Sequence, residues 1–297
     1  MAANEYAAFA AFYDRLTGDV DYAGLAAYLR EIFLRHQGAV PRTLLDLACG
    51  SGSLSLELAA DAEVIGVDGS EDMLALAGEK AARAGRSLLF LRQDMRCLDL
   101  YGTVEGAVCV LDSLNHLLRT ADIRAVLRRL RLFLEPGGLF VFDVNTPYKH
   151  RVVLGDNAFV LEDEDVVCVW RNRYIPRTCE VAMTLDFFVP AGEGRYDRLT
   201  DEVRERAYAG TTLRRLLEEE GNPGGLWGPF LSDAGPGGGT AGFRGPQYPD
   251  TGRSAARDGH QISPCAYIGN MPGKTGGSED RGSQKGIGTE WENWYAA

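Results

Sequence analysis

Leu44-Leu45-Asp46-Leu47-Ala48-Cys49-Gly50-Ser51-Gly52 is the stretch that decides the fold of this chain. An apolar run ends in an acidic residue and a glycine turn, and a helical pattern begins at Ser53. Strand, glycine loop and helix follow one another in this way at the entrance to a nucleotide-binding crevice. Glycine lets the backbone approach a ligand, and a helix start offers unpaired N–H groups to an anion. A tight strand-to-helix turn without a ligand is the alternative.

A second strand that ends in an acid favours the crevice. Glu63-Val64-Ile65-Gly66-Val67-Asp68 reads as this strand, and Asp68 follows Gly50 by 18 residues. The acid that binds a ribose lies about 20 residues after such a loop. Asp68 or Ser70 could instead cap the next helix. The glycine loop and the acid together favour ligand binding.

Composition narrows the class of protein. The chain has 297 residues, of which 45% are hydrophobic and 25% charged, as in soluble globular proteins. A net charge of −11 argues against a nucleic-acid partner, and no apolar run is long enough for a membrane span. We expect no secretory signal, because the N-terminal residues show no basic segment followed by an apolar core. The six cysteines form no C-x-x-C pair, so we expect no metal site, and we expect reduced thiols and a cytoplasmic location.

Strand and helix patterns alternate from residue 42 onward, after two predicted helices within residues 5–38. The predicted strands are 43–48, 63–68, 87–92, 106–111 and 138–144. The predicted helices between them are 53–60, 71–84 and 120–135. Alternation of this kind predicts an α/β fold, a doubly wound, Rossmann-like and mostly parallel sheet with helices on both faces.

Residues 146–209 interrupt this alternation with an antiparallel set. The predicted strands are Val166 to Trp170, Glu180 to Val189 and Arg195 to Tyr208. In the second of them apolar and polar residues alternate, which predicts one buried face and one solvated face. We expect this insertion to cover the carboxyl ends of the parallel strands as an acceptor lid. The predicted division is 1–40 for the N-terminal helices, 41–145 with 210–221 for the nucleotide-binding domain, and 146–209 for the lid.

The composition changes after Gly221. Residues 222–297 hold 18 of the 36 glycines and 7 of the 12 prolines, and periodicity disappears. We expect this tail to be disordered, or to result from a frameshift, and the last strands of the sheet to be missing. Read one nucleotide out of register, Asn222 to Phe230 can give Ile-Leu-Gly-Val-Tyr-Gly-Asp-Leu, a strand-like sequence.

Several short motifs occur in a characteristic order. They are Asp46 to Gly52, Gly66 to Ser70 with Met73-Leu74, Gln93-Asp94-Met95, Leu111 to Asn115, and Leu134 to Gly138. This series resembles the class I S-adenosylmethionine-dependent methyltransferases over residues 5–221. It is most similar to the bacterial small-molecule branch that has a β-sheet insertion after the fifth strand.

The resemblance implies S-adenosyl-L-methionine as the cofactor and assigns residues to it. They are Tyr13, Asp46, Gly50, Ser51, Gly52, Asp68, Gly69, Met73, Asp94, Met95, Leu111 and Asp112. The first acidic strand end and its glycines would hold the amino-acid end of the cofactor. Asp68 would bind the ribose hydroxyls, and Met73 would pack on the adenine.

The remaining implied roles concern the adenine edge and the reacting end. Asp94 would accept from the adenine amino group, and Met95 would donate its backbone N–H. Leu111 and Asp112 would flank the methionyl part, and Tyr13 would close the pocket.

Methyl transfer is an in-line displacement with a good leaving group, so alignment and exclusion of water are the main tasks of the protein. A base is needed only if the acceptor carries its proton at neutral pH. His116, after the fourth strand, is the candidate base and also a candidate for binding the acceptor, and Tyr148 and His150, after the fifth strand, are the runners-up for the base. Asn115, Tyr148 and Trp170 are candidates for binding a small-molecule acceptor.

Two other functions stay open at this point. An NAD-type oxidoreductase can have the same strand order, although Ser53-Leu54-Ser55 does not supply the third glycine expected of it. A cofactor-binding but catalytically defective protein is the second, because of the unusual tail.

Overall fold

The computed structural model describes residues 7–18, 20–221 and 265–270. The helices are α1 (Ala7–Leu16), α2 (Tyr22–Gln37), α3 (Ser53–Leu58), α4 (Glu71–Arg83), α5 (Thr120–Phe133) and α6 (Gly210–Glu219). The strands are β1 (Thr43–Leu47), β2 (Glu63–Asp68), β3 (Leu89–Arg92), β4 (Val104–Cys109), β5 (Leu134–Val144), β6 (Ala158–Asp163), β7 (Val166–Ile175), β8 (Glu180–Gly192), β9 (Arg195–Arg206) and β10 (Cys265–Asn270). None of the described helices is long and apolar enough to cross a bilayer.

The central sheet has the order β10-β5-β4-β1-β2-β3, and β1 to β5 are parallel. The predicted α/β fold with a doubly wound parallel sheet is confirmed. The strand order reverses between β1 and β4, so a crevice opens there at the carboxyl ends of the strands. The glycine loop follows β1 and therefore lies at this crevice.

The edge of the sheet at β5 differs from the prediction. The tail was expected to supply no strand, but β10 pairs antiparallel with β5, from Cys265 opposite Val144 to Asn270 opposite Leu139. The backbone of Cys265–Asn270 thus satisfies hydrogen bonds that an open edge would leave unpaired. The other parts of the tail, 222–264 and 271–297, lie outside the described residues, and so does the predicted disorder or frameshift there.

Side chains of one strand pack on opposite faces of the central sheet. Leu45 and Leu47 pack in the core under α5 and α6, whereas Leu44 packs in the core under α2 and α3. All three are buried. Strands covered on both faces need apolar residues at every position, which explains the unbroken apolar runs in the sequence.

The insertion forms a separate antiparallel sheet of four strands, β6-β7-β8-β9. The sequence predicted three of them and missed β6. Alternate residues of β8, Val181, Met183, Leu185 and Phe187, are buried as predicted. Phe187 stacks on Phe12 of α1, with 5.5 Å between the ring centroids, so the N-terminal helix covers the apolar face of this sheet.

Gly106 in β4 marks a close approach between the sheet and α2. A Cβ at this position would lie 2.6 Å from Pro41 Cγ and 2.9 Å from a ring carbon of Phe33. Phe33 is fully buried and cannot move away without disturbing the core.

We expect Gly106→Ala to lower the free energy of unfolding by about 1–3 kcal/mol, because the added methyl overpacks this contact. Gly78→Ala is the matched control, since Gly78 is exposed on α4 with open space around it. Alanine there should be neutral or stabilise the helix by about 0.5–1 kcal/mol. Urea unfolding of both variants measures the difference. Equal stabilities would contradict the packing described for β4.

Candidate functional site

A cavity of about 1030 Å³ opens at the carboxyl ends of the parallel strands. Its walls include five of the predicted site residues, which are Asp68, Gly69, Asp94, Met95 and His116. The small sheet supplies the facing wall through Glu180, Glu202, Val203 and Arg204. The cavity thus lies between the two sheets.

The glycine loop adopts a left-handed backbone that Asp68 holds in place. Gly50 and Gly52 have φ of +53° and +74°. Asp68 Oδ2 accepts the Gly50 N–H at 2.9 Å, and Oδ1 accepts the Ser70 N–H at 2.8 Å. Burial raises the pKa of Asp68 against these hydrogen bonds. Each carboxylate oxygen has a second lone pair and can still accept a ligand hydroxyl.

Lys80 joins the glycine loop to the N-terminal helix. Its Nζ donates to Asp14 Oδ1 at 2.6 Å, to Ser51 Oγ at 2.8 Å and to Ser53 Oγ at 2.7 Å. Ser51 Oγ also donates to Asp14 Oδ1 at 2.6 Å. One ammonium therefore ties α4, the loop and α1 together. No motif or periodicity in the sequence predicts these contacts of Lys80.

Asp94 is already engaged by a neighbouring arginine. The Arg96 guanidinium donates to both carboxylate oxygens, at 2.9 and 3.0 Å from Nε, and the Arg96 N–H donates to Oδ1 at 2.9 Å. These hydrogen bonds lower the pKa of Asp94. Asp94 lies in the cavity wall as predicted, and its role toward an adenine stays a prediction.

Asp143 fixes a strained turn at the end of β4. Leu111 and Asp112 have φ of +57° and +53°, a region that costs a non-glycine residue about 1–3 kcal/mol. Asp143 Oδ2 accepts the Leu111 N–H at 2.9 Å, and Oδ1 accepts the Asp112 N–H at 2.6 Å. Burial raises the pKa of Asp143 to about 6.

A buried polar network lies beside this turn. Asn145 Nδ2 donates to Asp112 Oδ2 at 2.6 Å and to Glu205 Oε2 at 2.9 Å. His150 Nε2 lies 3.1 Å from the same Glu205 oxygen, and His116 Nε2 lies 4.0 Å from Glu205 Oε1. Residues that follow β4 and β5 in the chain therefore meet Glu205 of β9 at one point.

The two carboxyls of this network have opposite pKa shifts. Burial, and then the charge of Glu205, raise the pKa of Asp112 well above its ordinary value. Burial would also raise the pKa of Glu205, but the hydrogen bond from His150 and the charges of His116 and His150 outweigh it and lower the pKa. Glu205 is thus the more acidic of the two carboxyls.

Tyr13 reaches the same region from α1. Burial, then Tyr22 and Asp112, raise the pKa of the Tyr13 hydroxyl. Tyr13 is therefore close to the strained turn, and its predicted role in closing the cofactor pocket stays a prediction.

Other predicted residues lie elsewhere. Asp46 is buried behind the loop, where its carboxylate accepts from Ser55 Oγ at 2.5 Å and burial raises its pKa to about 6. Met73 is buried in α4 and does not line the cavity. Tyr148 is 50% exposed, also away from the cavity wall.

Asn115 and Trp170 both have structural contacts within the protein. Asn115 is fully buried; its Nδ2 donates to the carbonyls of Asn145 and Arg206, and its Oδ1 accepts the Asn145 N–H. Trp170 packs on Phe159 in the small sheet and donates to Asn172 Oδ1 at 2.6 Å. These side chains hold the strands around the site together, and their role in binding an acceptor stays a prediction.

Asp143, Asn145 and Glu205 were missed at the sequence level. The sequences of β5 and β9 each contain one feature that could have indicated these residues. Polar residues follow the apolar run of β5 directly, and Glu205 shares a face of β9 with the buried Val203, where alternation predicts an apolar residue.

Asp112, His116 and Glu205 each offer one ligand atom, and these atoms lie within 4.8 Å of one another. A divalent cation could use such a set, whereas the sequence predicted no metal. Cys49, Cys97, Cys109, Cys168 and Cys179 are free.

Comparison with known proteins agrees with this architecture. A family model described as a methyltransferase domain matches residues 44–138. The chain is 30% identical over 217 residues to a Geobacillus sp. (strain WCH70) protein named as a "Putative methyltransferase", which spans 73% of this chain and 88% of that protein. It is 33% identical over 218 residues to "Putative methyltransferase YqeM" of Bacillus subtilis (strain 168), with 73% and 85% covered.

A solved structure is similar over nearly the whole length. The S-adenosylmethionine-dependent methyltransferase from Clostridium acetobutylicum superposes with a TM-score of 0.70 at 27% identity, covering 91% of this chain and all of that chain. The parallel sheet, its glycine loop and the acid after β2 define a class I methyltransferase fold. The chain belongs to the S-adenosylmethionine-dependent methyltransferase family, and S-adenosylmethionine is its cofactor.

We expect Asn115→Ala to lower the free energy of unfolding by about 2–4 kcal/mol, because it leaves buried backbone groups of Asn145 and Arg206 without partners. Ser113→Ala is the control, because it removes one hydrogen bond, from Ser113 Oγ to the Val110 carbonyl, close to Asn115 in the chain. It should cost less than about 1.5 kcal/mol. Guanidinium unfolding measures both. A stable Asn115→Ala protein would contradict the structural role assigned to this amide.

Proposed function

We propose that this protein transfers the methyl group of S-adenosylmethionine to a small-molecule acceptor by direct in-line displacement. The observation that carries the proposal is one continuous cavity that extends from Asp68 to His116 and the wall of β9. Cofactor and acceptor would share this space.

The residues present fit the cofactor. A Cβ at Gly50 would meet nothing within 4 Å, so the loop faces open space that a ligand can approach. Asp68, with its remaining lone pairs, would hold the ribose, and Asp94 and Met95 would form the adenine end of the wall. When bound, the cofactor supplies a methyl group on a good leaving group.

The chain itself would contribute alignment and exclusion of water. Lys80 holds α1 over the glycine loop, and the small sheet closes the opposite side of the cavity. Orientation of two reactants can lower a barrier by about 7–11 kcal/mol, which makes a further catalytic group optional. His116 lines the cavity and is the group we propose as base for an acceptor that must lose a proton.

Partial relatives support a small-molecule acceptor. A glycine/sarcosine N-methyltransferase from Halorhodospira halochloris is 31% identical over 138 residues, which are 44% of this chain and 51% of that protein. A 2-phytyl-1,4-naphtoquinone methyltransferase from Synechococcus elongatus is 32% identical over 146 residues, 47% of this chain and 61% of that protein. Their names indicate nitrogen and quinone chemistry, so they leave the class of acceptor open.

Calorimetric titration with S-adenosylhomocysteine tests the cofactor part. We expect Asp68→Asn to weaken binding about a hundredfold, because the charge-assisted hydrogen bonds to the ribose are worth about 2–3 kcal/mol. Asp72→Asn removes an exposed carboxylate in the first turn of α4 and should bind normally. Equal affinity of Asp68→Asn and wild type would refute the proposed site. Binding without turnover on a broad acceptor panel would instead indicate a catalytically defective protein.

A further inference from the structure

The point where Asp112, Glu205 and Asn145 meet has features that methyl transfer alone does not require. Glu205 and Asn145 are buried, at 6% and 1% exposure. The Asn145 amide contacts both carboxylates, and His116 lines the adjoining cavity. A strained backbone at Asp112 is maintained to keep its side chain here.

Two polar atoms at this point are buried without a hydrogen-bond partner in the described part of the chain, although the positive charge of the buried Lys149 also acts on Asp112. Asn145 Oδ1 is buried and has no hydrogen-bond partner among the residues that the structure describes. The same holds for Nδ1 of His150, whose ring contacts Glu205. A buried polar atom without a partner costs about 1–3 kcal/mol, so a ligand that donates several hydrogen bonds would be stabilised here.

Distances favour an ammonium over a metal ion. Adjacent oxygen ligands of a small divalent metal stand about 3 Å apart. Acceptors that share the N–H groups of one nitrogen, each about 2.8 Å from it, stand about 4.6 Å apart. His116 Nε2 and Glu205 Oε1 are 4.0 Å apart, and the Asp112, His116 and Glu205 ligand atoms all lie within 4.8 Å. The measured 4.0 Å between His116 and Glu205 is closer to the spacing around one nitrogen than to the spacing around a small metal ion.

We propose that Glu205 and Asp112, with Asn145, form a subsite for the amino group of the acceptor, so that the protein methylates a small-molecule amine on nitrogen. The charge of Glu205 attracts the ammonium form, and the Asp112 and Asn145 oxygens orient its remaining N–H groups. The assignment rests on the proposed methyl transfer and names the class of acceptor.

The reaction then balances in two steps. The ammonium gives one proton to His116 Nε2, which leaves a neutral amine with a lone pair. The nitrogen–carbon bond forms as the carbon–sulfur bond breaks, and the electron pair of the broken bond stays on sulfur. The methylated product carries the positive charge back onto nitrogen, and His116, which is partly exposed, returns its proton to solvent.

A matched pair of probes tests the subsite. We would titrate the full chain, saturated with S-adenosylhomocysteine, with cyclohexylamine and with cyclohexanol, and follow binding by ligand-observed NMR. We expect the amine to bind at least tenfold more tightly. Glu205→Gln and Asp112→Asn should each weaken the amine at least fivefold and leave the alcohol within twofold. Asp197→Asn, an exposed carboxylate on the same strand, is the control for net charge.

Equal binding of amine and alcohol, or an amine preference that survives Glu205→Gln, would overturn the subsite. Stoichiometric Mn²⁺ binding that Glu205→Gln abolishes would overturn it in favour of a metal. Thermal unfolding shows whether each variant is folded, and the two isosteric variants rule out an effect of one side chain on packing. If wild type fails to bind S-adenosylhomocysteine, the proposed function fails, while a Glu205-dependent amine preference without it still supports the subsite.

Discussion

The pair of hydrogen bonds from the Leu111 and Asp112 amides to Asp143 is the constraint on which the site depends. Two consecutive residues with positive φ would relax without it, at a gain of about 1–3 kcal/mol each. The clamp joins the ends of β4 and β5, and it turns the Asp112 side chain toward Asn145 and Glu205. A buried carboxylate that satisfies two backbone donors is thus used to aim a second carboxylate.

Segments distant in sequence converge on this turn because each ends at the same edge of the central sheet. The glycine loop follows β1, the polar residues Asp143 and Asn145 end β5, and Glu205 arrives from the last strand of the small sheet. Asn115 keeps these parts in register through hydrogen bonds to the backbone of β5 and β9. Glu205 is tolerated here because Asn145 donates to it and His150 contacts it, and the pKa values of Asp112 and Glu205 shift in opposite directions.

The strands and loop of the proposed cofactor site could be predicted from the sequence, whereas most residues of the proposed acceptor site could not. Leu44 to Gly52 and Glu63 to Asp68 are local patterns, so they fix strands, loop and the acid within a few residues. Glu205 and Lys80 act through partners that are far away in the chain, so a local pattern does not identify those partners. For Trp170 and Asn115, residue type alone does not distinguish a ligand contact from a buried structural one, so their role in acceptor binding stays a prediction. β10 was missed because its surroundings are rich in glycine and proline, and only the open edge of β5 gives the segment a partner.

Helix α1 contacts both the residues around the glycine loop and the small sheet. Asp14 of this helix is bound by Lys80 at the glycine loop, while Phe12 stacks on Phe187 and Arg15 pairs with Asp163 and Asp165 of the small sheet. Any displacement that admits a ligand on one side therefore strains contacts on the other. A ligand that fixes the helix has already met part of the ordering cost for the next one, and such coupling is reciprocal. We therefore expect binding at one end of the cavity to favour binding at the other end through this short N-terminal helix.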